Sequence, residues 1–106
     1  MSKQLPKAVN QFRKRHPKVW NAFNELGERC HEAGPLDEKS RRLVKLAMSI
    51  GAGLEGATHS AVRGARKAGV TADEIDHVAV LAITTLGLPA ATRAMTWIWD
   101  DSRKTR

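Results

Sequence analysis

The sequence predicts an all-α domain, and three observations predict it. No stretch sustains the period-2 alternation of a strand, Tyr is absent, and Ala fills 15 of the 106 positions. That composition favours helix over sheet. Between turn signals the apolar residues recur at helical spacing, which gives a bundle of five to six helices. With 42% apolar and 27% charged residues, the chain has the balance of a globular domain rather than a disordered one.

Each element has its own signal. A basic segment over residues 1–18 forms a tail or a short helix around Ala8 to Arg15. Pro17 suits the first turn of a helix carrying Val19, Trp20, Phe23, Leu26 and Cys30, which Gly34-Pro35 ends. Asp37 is the N-cap of the next helix, whose apolar stripe is Leu43, Val44, Leu46, Ala47 and Ile50. Gly51-Ala52-Gly53 is a soft joint before a helix over about Leu54 to Ala68, closed by Gly69. Thr71-x-x-Glu74 reads as a capping box opening a helix from Ala72 to about Leu86. Gly87-Leu88-Pro89 forces a turn, and a last helix holds Ala90, Ala91, Ala94, Met95, Ile98 and two tryptophans. Domain organisation follows: a basic N-terminal stretch over 1–18, a single all-α domain over 19–102, and a basic C-terminal tail over 103–106.

Two features point to association. Gly56, Ser60, Gly64 and Ala68 form one i+4 row of small residues, with Ala57, Ala61 and Ala65 beside it. Rows of that kind let another helix approach closely. Helix 72–86 is apolar nearly all round through Ile75, Val78, Ala79, Leu81, Ala82 and Ile83. A chain of this length has limited capacity to cover such a helix alone, so partner subunits are expected. Trp97 and Trp99 stand two apart and face different directions, so at least one meets another subunit or solvent.

The formal net charge of +7 invites a nucleic-acid reading, but its distribution argues against a specific one. Residues 1–18 hold six basic residues and no acid, and 103–106 hold three more, while 19–102 hold nine basic residues against all eleven acids. The excess sits in the two ends. Those ends imply weak, salt-sensitive attraction to polyanions, without helix-turn-helix spacing or an aromatic platform. Val78 to Thr92, the longest uncharged stretch, is too short for a membrane span. No secretory signal is evident, so a cytoplasmic setting is expected.

Chemistry concentrates on one stripe. Glu55, His59 and Arg63 are spaced i, i+4, i+8, so all three share a helical face. A carboxylate one turn before an imidazole orients it and raises its basicity, which makes a proton-transfer unit. The plainer alternative is a surface charge pair. His77, His16 and His31 suit structural or exposed roles, and no spacing assembles three metal ligands. Cys30 is the only cysteine, which rules out an intrachain disulfide and a cysteine-based metal cage.

The wider pattern runs from Leu36-Asp37-Glu38-Lys39-Ser40-Arg41-Arg42-Leu43-Val44-Lys45-Leu46-Ala47 through Gly51 to Glu55-Gly56-Ala57-Thr58-His59-Ser60. Ala65, Ala68-Gly69-Val70-Thr71-Ala72-Asp73-Glu74-Ile75 and Gly87-Leu88-Pro89-Ala90-Ala91 follow. Over roughly residues 36–97 this resembles the carboxymuconolactone decarboxylase family, which includes the alkylhydroperoxidase D-like proteins. The resemblance implies an all-α fold associating as trimers or hexamers, with the active site on the His-bearing helix near subunit contacts. Peroxidase members carry Cys-x-x-Cys-x-x-x-His; here those cysteine positions fall on Ala52 and Glu55, so peroxiredoxin-type dithiol activity is not expected. The upstream relay glutamate of that branch would fall near Ser40 or Arg42, with Glu38 the nearest acid. The decarboxylase branch fits better. It implies a lyase acting on a lactone or carboxylic acid without metal or organic cofactor, with His59 as general acid or base and Glu55 as its partner. Arg63 would hold a substrate carboxylate. The alternative is a non-catalytic oligomeric member that binds a small ligand or a protein.

Overall fold

A computed structural model describes residues 6–104, the last four of these by backbone alone. Six helices form: α1 (Lys7–Arg15), α2 (Pro17–Glu32), α3 (Glu38–Gly51), α4 (Glu55–Lys67), α5 (Ala72–Leu86) and α6 (Leu88–Lys104). No strand occurs among the described residues, in line with the all-α expectation. The helices fall into two compact units, α1 and α2 in the one ending at Pro35, and α3 to α6 in the one beginning at Leu36.

In the first unit, Pro17 opens α2 directly after His16 closes α1. Proline suits that place because its fixed φ is helical and its missing N–H would be unpaired there anyway. The aromatic rings of Phe12 and Trp20 meet edge to face, 5.9 Å between centroids. The expected stripe on α2 is present, yet Val19, Phe23 and Leu26 are all exposed.

In the second unit the core is built from Leu46 and Ile50 of α3, Val62 and Ala65 of α4, Ile75, Ala79 and Ala82 of α5, and Ala91, Ala94, Met95 and Ile98 of α6, with Val70 between α4 and α5. Thr58 is the one buried polar side chain among the described residues, and its hydroxyl donates to the Leu54 carbonyl one turn back at 2.8 Å. That bond satisfies the group without a partner from another helix.

The helix ends follow the sequence signals. Asp37 caps α3 by accepting from the Ser40 amide at 2.9 Å. The Thr71 hydroxyl accepts from the Glu74 amide while the Glu74 carboxylate accepts from the Thr71 amide, which completes the capping box of α5. The joint after α3 is a defined stop: Leu54 N–H donates to Ser49 O and Gly53 N–H to Ile50 O, with Gly53 at φ +69°. The same paired bonds end α4, from Val70 to Ala65 and Gly69 to Arg66, with Gly69 at φ +90°. Both are Schellman stops, whose left-handed residue carries no Cβ penalty when it is glycine. The turn expected over Gly87-Leu88-Pro89 is tighter than its three residues. Gly87, at φ +104°, alone links α5 to α6, and Leu88 and Pro89 already belong to the first turn of α6.

The tryptophans diverge as their spacing requires. Trp97 is half-buried beneath the Arg93 guanidinium, 5.4 Å from the ring centre. Trp99 is half-exposed and donates its ring N–H to Asp76 at 3.0 Å, pinning α6 to α5.

Candidate active site

α4 carries the candidate chemistry, and its local sequence explains the arrangement. The Schellman stop at Gly53 leaves Leu54 extended, so α4 starts at Glu55 with no side-chain cap and Glu55 as the one acid of its first turn. A carboxylate at that end faces unpaired backbone N–H groups and the positive pole of the helix dipole. One turn on, His59 Nε2 lies 3.4 Å from Glu55 Oε2. The spacing therefore brings this pair together. The contact is longer than the roughly 2.7–2.9 Å of a fully charged hydrogen bond. The His59 side chain is 20% exposed and that of Glu55 62%, so the imidazole is the sheltered member and the carboxylate opens to solvent.

Arg63 follows one turn later on the same stripe and is half-buried. A second cation approaches from α6, which sequence reasoning did not single out. A Cβ on Gly53 would lie 3.2 Å from Arg93 Nη2, so the Arg93 guanidinium sits over the loop two residues ahead of Glu55. Glu38 is engaged elsewhere. It pairs with the Arg41 guanidinium and accepts from Arg42 Nε at 3.0 Å, contacts that hold its carboxyl below the usual range, Arg41 first and Arg42 second. His77 and His16 are exposed and His31 is half-buried. Among the described residues no group of three or more His, Cys, Asp or Glu side chains gathers into a metal site, and no helix is long and apolar enough to cross a membrane.

With an all-helical fold and a Glu–His pair at the start of α4 in place, comparison with known families is decisive. The model of the carboxymuconolactone decarboxylase family matches residues 17–99. The chain belongs to the carboxymuconolactone decarboxylase family. No curated protein matches it significantly. The two positions at which the sequence resemblance places the thiols of the peroxidase branch are Ala52, which caps the C-terminus of α3, and Glu55, the first residue of α4. Its one cysteine, Cys30, is exposed on α2. Two thiols are needed to form and resolve an intrachain disulfide, and this chain has one.

Proposed function

We propose that this carboxymuconolactone decarboxylase family member is a small-molecule lyase that moves a proton on a lactone or carboxylic acid substrate. The contact between Glu55 and His59 carries the reading. When Nε2 holds the proton facing Glu55, the basic nitrogen of the ring is Nδ1. His59 then removes a proton from the substrate, or delivers the one that replaces a departing carboxyl group as carbon dioxide leaves. Glu55 orients the ring. Arg63, on the same helical stripe, holds a substrate carboxylate in this reading, and no metal or organic cofactor is required for these steps. A cytoplasmic setting belongs to the same proposal.

Assembly into a trimer or hexamer is also proposed. It is supported by the outward apolar residues of α5, Val80, Leu81 and Leu86, which stay exposed on the single chain. The exposure of Glu55 supports a second reading, a non-catalytic oligomer that binds a ligand or a protein through the same face.

The test is carbon dioxide release from carboxymuconolactone and related lactone acids. His59→Asn is expected to lower turnover about 100-fold or more, the usual contribution of a general acid or base, with a smaller loss for Glu55→Gln. Turnover unchanged by His59→Asn overturns the enzyme reading. Absence of turnover across the substrates, with binding retained, supports the second.

A further inference from the structure

We propose that the unit formed by α1 and α2 docks on a membrane surface that carries anionic phospholipid. Neither helix contains a buried residue, and Val19, Phe23 and Leu26 are each more than half exposed. These side chains belong to an apolar strip that crosses the joint between the two helices. Phe12 of α1 meets Trp20 of α2 edge to face at 5.9 Å, and Trp20 lies 6.3 Å from Phe23. α1 lies outside the residues that the family model matches, and the strip has no part in the Glu55–His59 chemistry. This proposal therefore does not depend on the lyase reading.

α2 is divided as a helix lying in a lipid interface must be. At about 100° per residue, Val19, Phe23, Leu26 and Cys30 centre roughly 160° around the axis from Glu25, Glu28 and Glu32. The acids therefore point away from the face that enters the lipid. Arg29 offsets part of their charge, at 3.5 Å from Glu25 and 4.0 Å from Glu32.

Charge selects the occupant. Lys7, Arg13, Lys14, Arg15 and Lys18 run through α1 into the first turn of α2, with no acid among residues 7–18. None of the five has an ion-pair partner among the described residues, and Arg13 donates to the Asn10 side chain at 3.0 Å. A second copy seated strip to strip covers the apolar residues but brings no acid to these cations, because the acids of α2 face the other way. Nucleic acid answers the charge but offers no apolar phase to Phe23 and Leu26. An anionic bilayer answers both. Its phosphate layer takes the cations on their long stems while the strip enters the acyl boundary, where an aromatic ring such as that of Trp20 is favoured.

The probes are vesicles of phosphatidylcholine alone and of phosphatidylcholine with about one quarter phosphatidylglycerol, each floated with the full chain. Partition into the mixed vesicles is expected to exceed that into phosphatidylcholine by about tenfold or more, and to fall as salt is added. Phe23→Asn should weaken it about tenfold, and Lys14→Gln and Arg15→Gln about fivefold each. Arg66→Gln, the same charge change in the second unit, should leave it unchanged. Phe23→Leu keeps an apolar side chain and should bind within about threefold of the unchanged protein. Circular dichroism of each variant without vesicles separates lost docking from lost helix, and Leu26→Asn repeats the test where Phe23→Asn unfolds α2. Equal partition into the two vesicles overturns the proposal. So does binding to the mixed vesicles that is indifferent to Phe23→Asn and Leu26→Asn, which is adsorption by the basic residues alone. A protein that ignores both vesicles, while Phe23→Asn breaks up a larger assembly in sedimentation, also overturns it and gives the strip to a second copy.

Discussion

Truncating α5 at two positions separates what the single chain buries from what association would cover. Ile75 is 1% exposed and belongs to the core of the second unit, whereas Leu81, on the same helix, is 57% exposed. Ile75→Ala removes three buried carbons and leaves a cavity, so it should cost about 3 kcal/mol, within the usual 2–5 range. At roughly 4–8 °C per kcal/mol for a domain of this size, the midpoint falls by about 15 °C. On the isolated chain Leu81→Ala loses less than half a leucine's burial, below about 1 kcal/mol. If a neighbouring subunit covers the remainder, the cost rises by about 1–1.5 kcal/mol per chain, and it does so only where the assembly is populated. Urea unfolding followed by circular dichroism, at two protein concentrations roughly a hundredfold apart, reads both effects. Ile75→Val, expected to cost about 1 kcal/mol, serves where the alanine variant does not fold. A loss below about 1 kcal/mol for Ile75→Ala would refute the core assignment. A Leu81→Ala cost that is small and identical at both concentrations would refute coverage of α5 by another subunit.

Three further outcomes follow from the helix ends and the glycines. Thr71→Ala removes one half of the capping box and should cost about 1 kcal/mol by chemical denaturation; an unchanged midpoint would contradict the cap. Asp37, Glu38 and Glu74 are all held below their ordinary values of 3.8, 4.5 and 4.5, by hydrogen bonds from Ser40, from Arg41 and then Arg42, and from the Thr71 amide respectively. A lowered folded-state value gives stability that is complete above the unfolded value and is lost as pH falls. The urea midpoint should therefore be insensitive to these groups above about pH 5 and fall below about pH 4.5, with a shallower fall in Glu38→Gln. Gly69→Ala, at φ +90°, should destabilise by about 1–2 kcal/mol. Gly56→Ala, helical and with no atom within 4 Å of the added Cβ, should stabilise by about 0.5–1 kcal/mol; the same sign for both would show that backbone conformation does not govern these sites.

The helices were readable where a local signal fixes both ends. α5 spans Ala72–Leu86 because Thr71 and Glu74 open it and Gly87 closes it, all within reach of neighbouring residues. α4 was readable for the same reason, and the i,i+4 rule placed Glu55 beside His59 without tertiary information. Contacts set by the register of one helix against another were not readable. Gly64 looks like a general packing position in the sequence, but its role is to admit the Arg42 guanidinium from α3. Arg93 reaches the loop before Glu55 from α6, and nothing in its own surroundings in the sequence announces that. The apolar stripe of α2 was legible as a pattern, yet the pattern alone does not say what covers Val19, Phe23 and Leu26, which are exposed.

In the proposed mechanism Glu55 narrows the chemistry more than any other position. The first turn of α4 presents unpaired N–H groups, an environment that favours a negative group of any kind. A thiolate there can attack a peroxide because sulfur gives up an electron pair and is then regenerated through a second thiol. A carboxylate in the same place has no comparable oxidation and no resolving partner. It can hold a proton, release one, or orient the imidazole one turn away. On the proposed reading the helix end favours an anion, and Glu55 brings acid–base capacity where a thiol would bring redox chemistry. Within this family member, turnover at the Glu55–His59 face would therefore be limited to moving protons. The decisive contrast is between a lactone acid and a peroxide offered to the same protein: the first should respond to His59→Asn, and the second should show no reduction to lose.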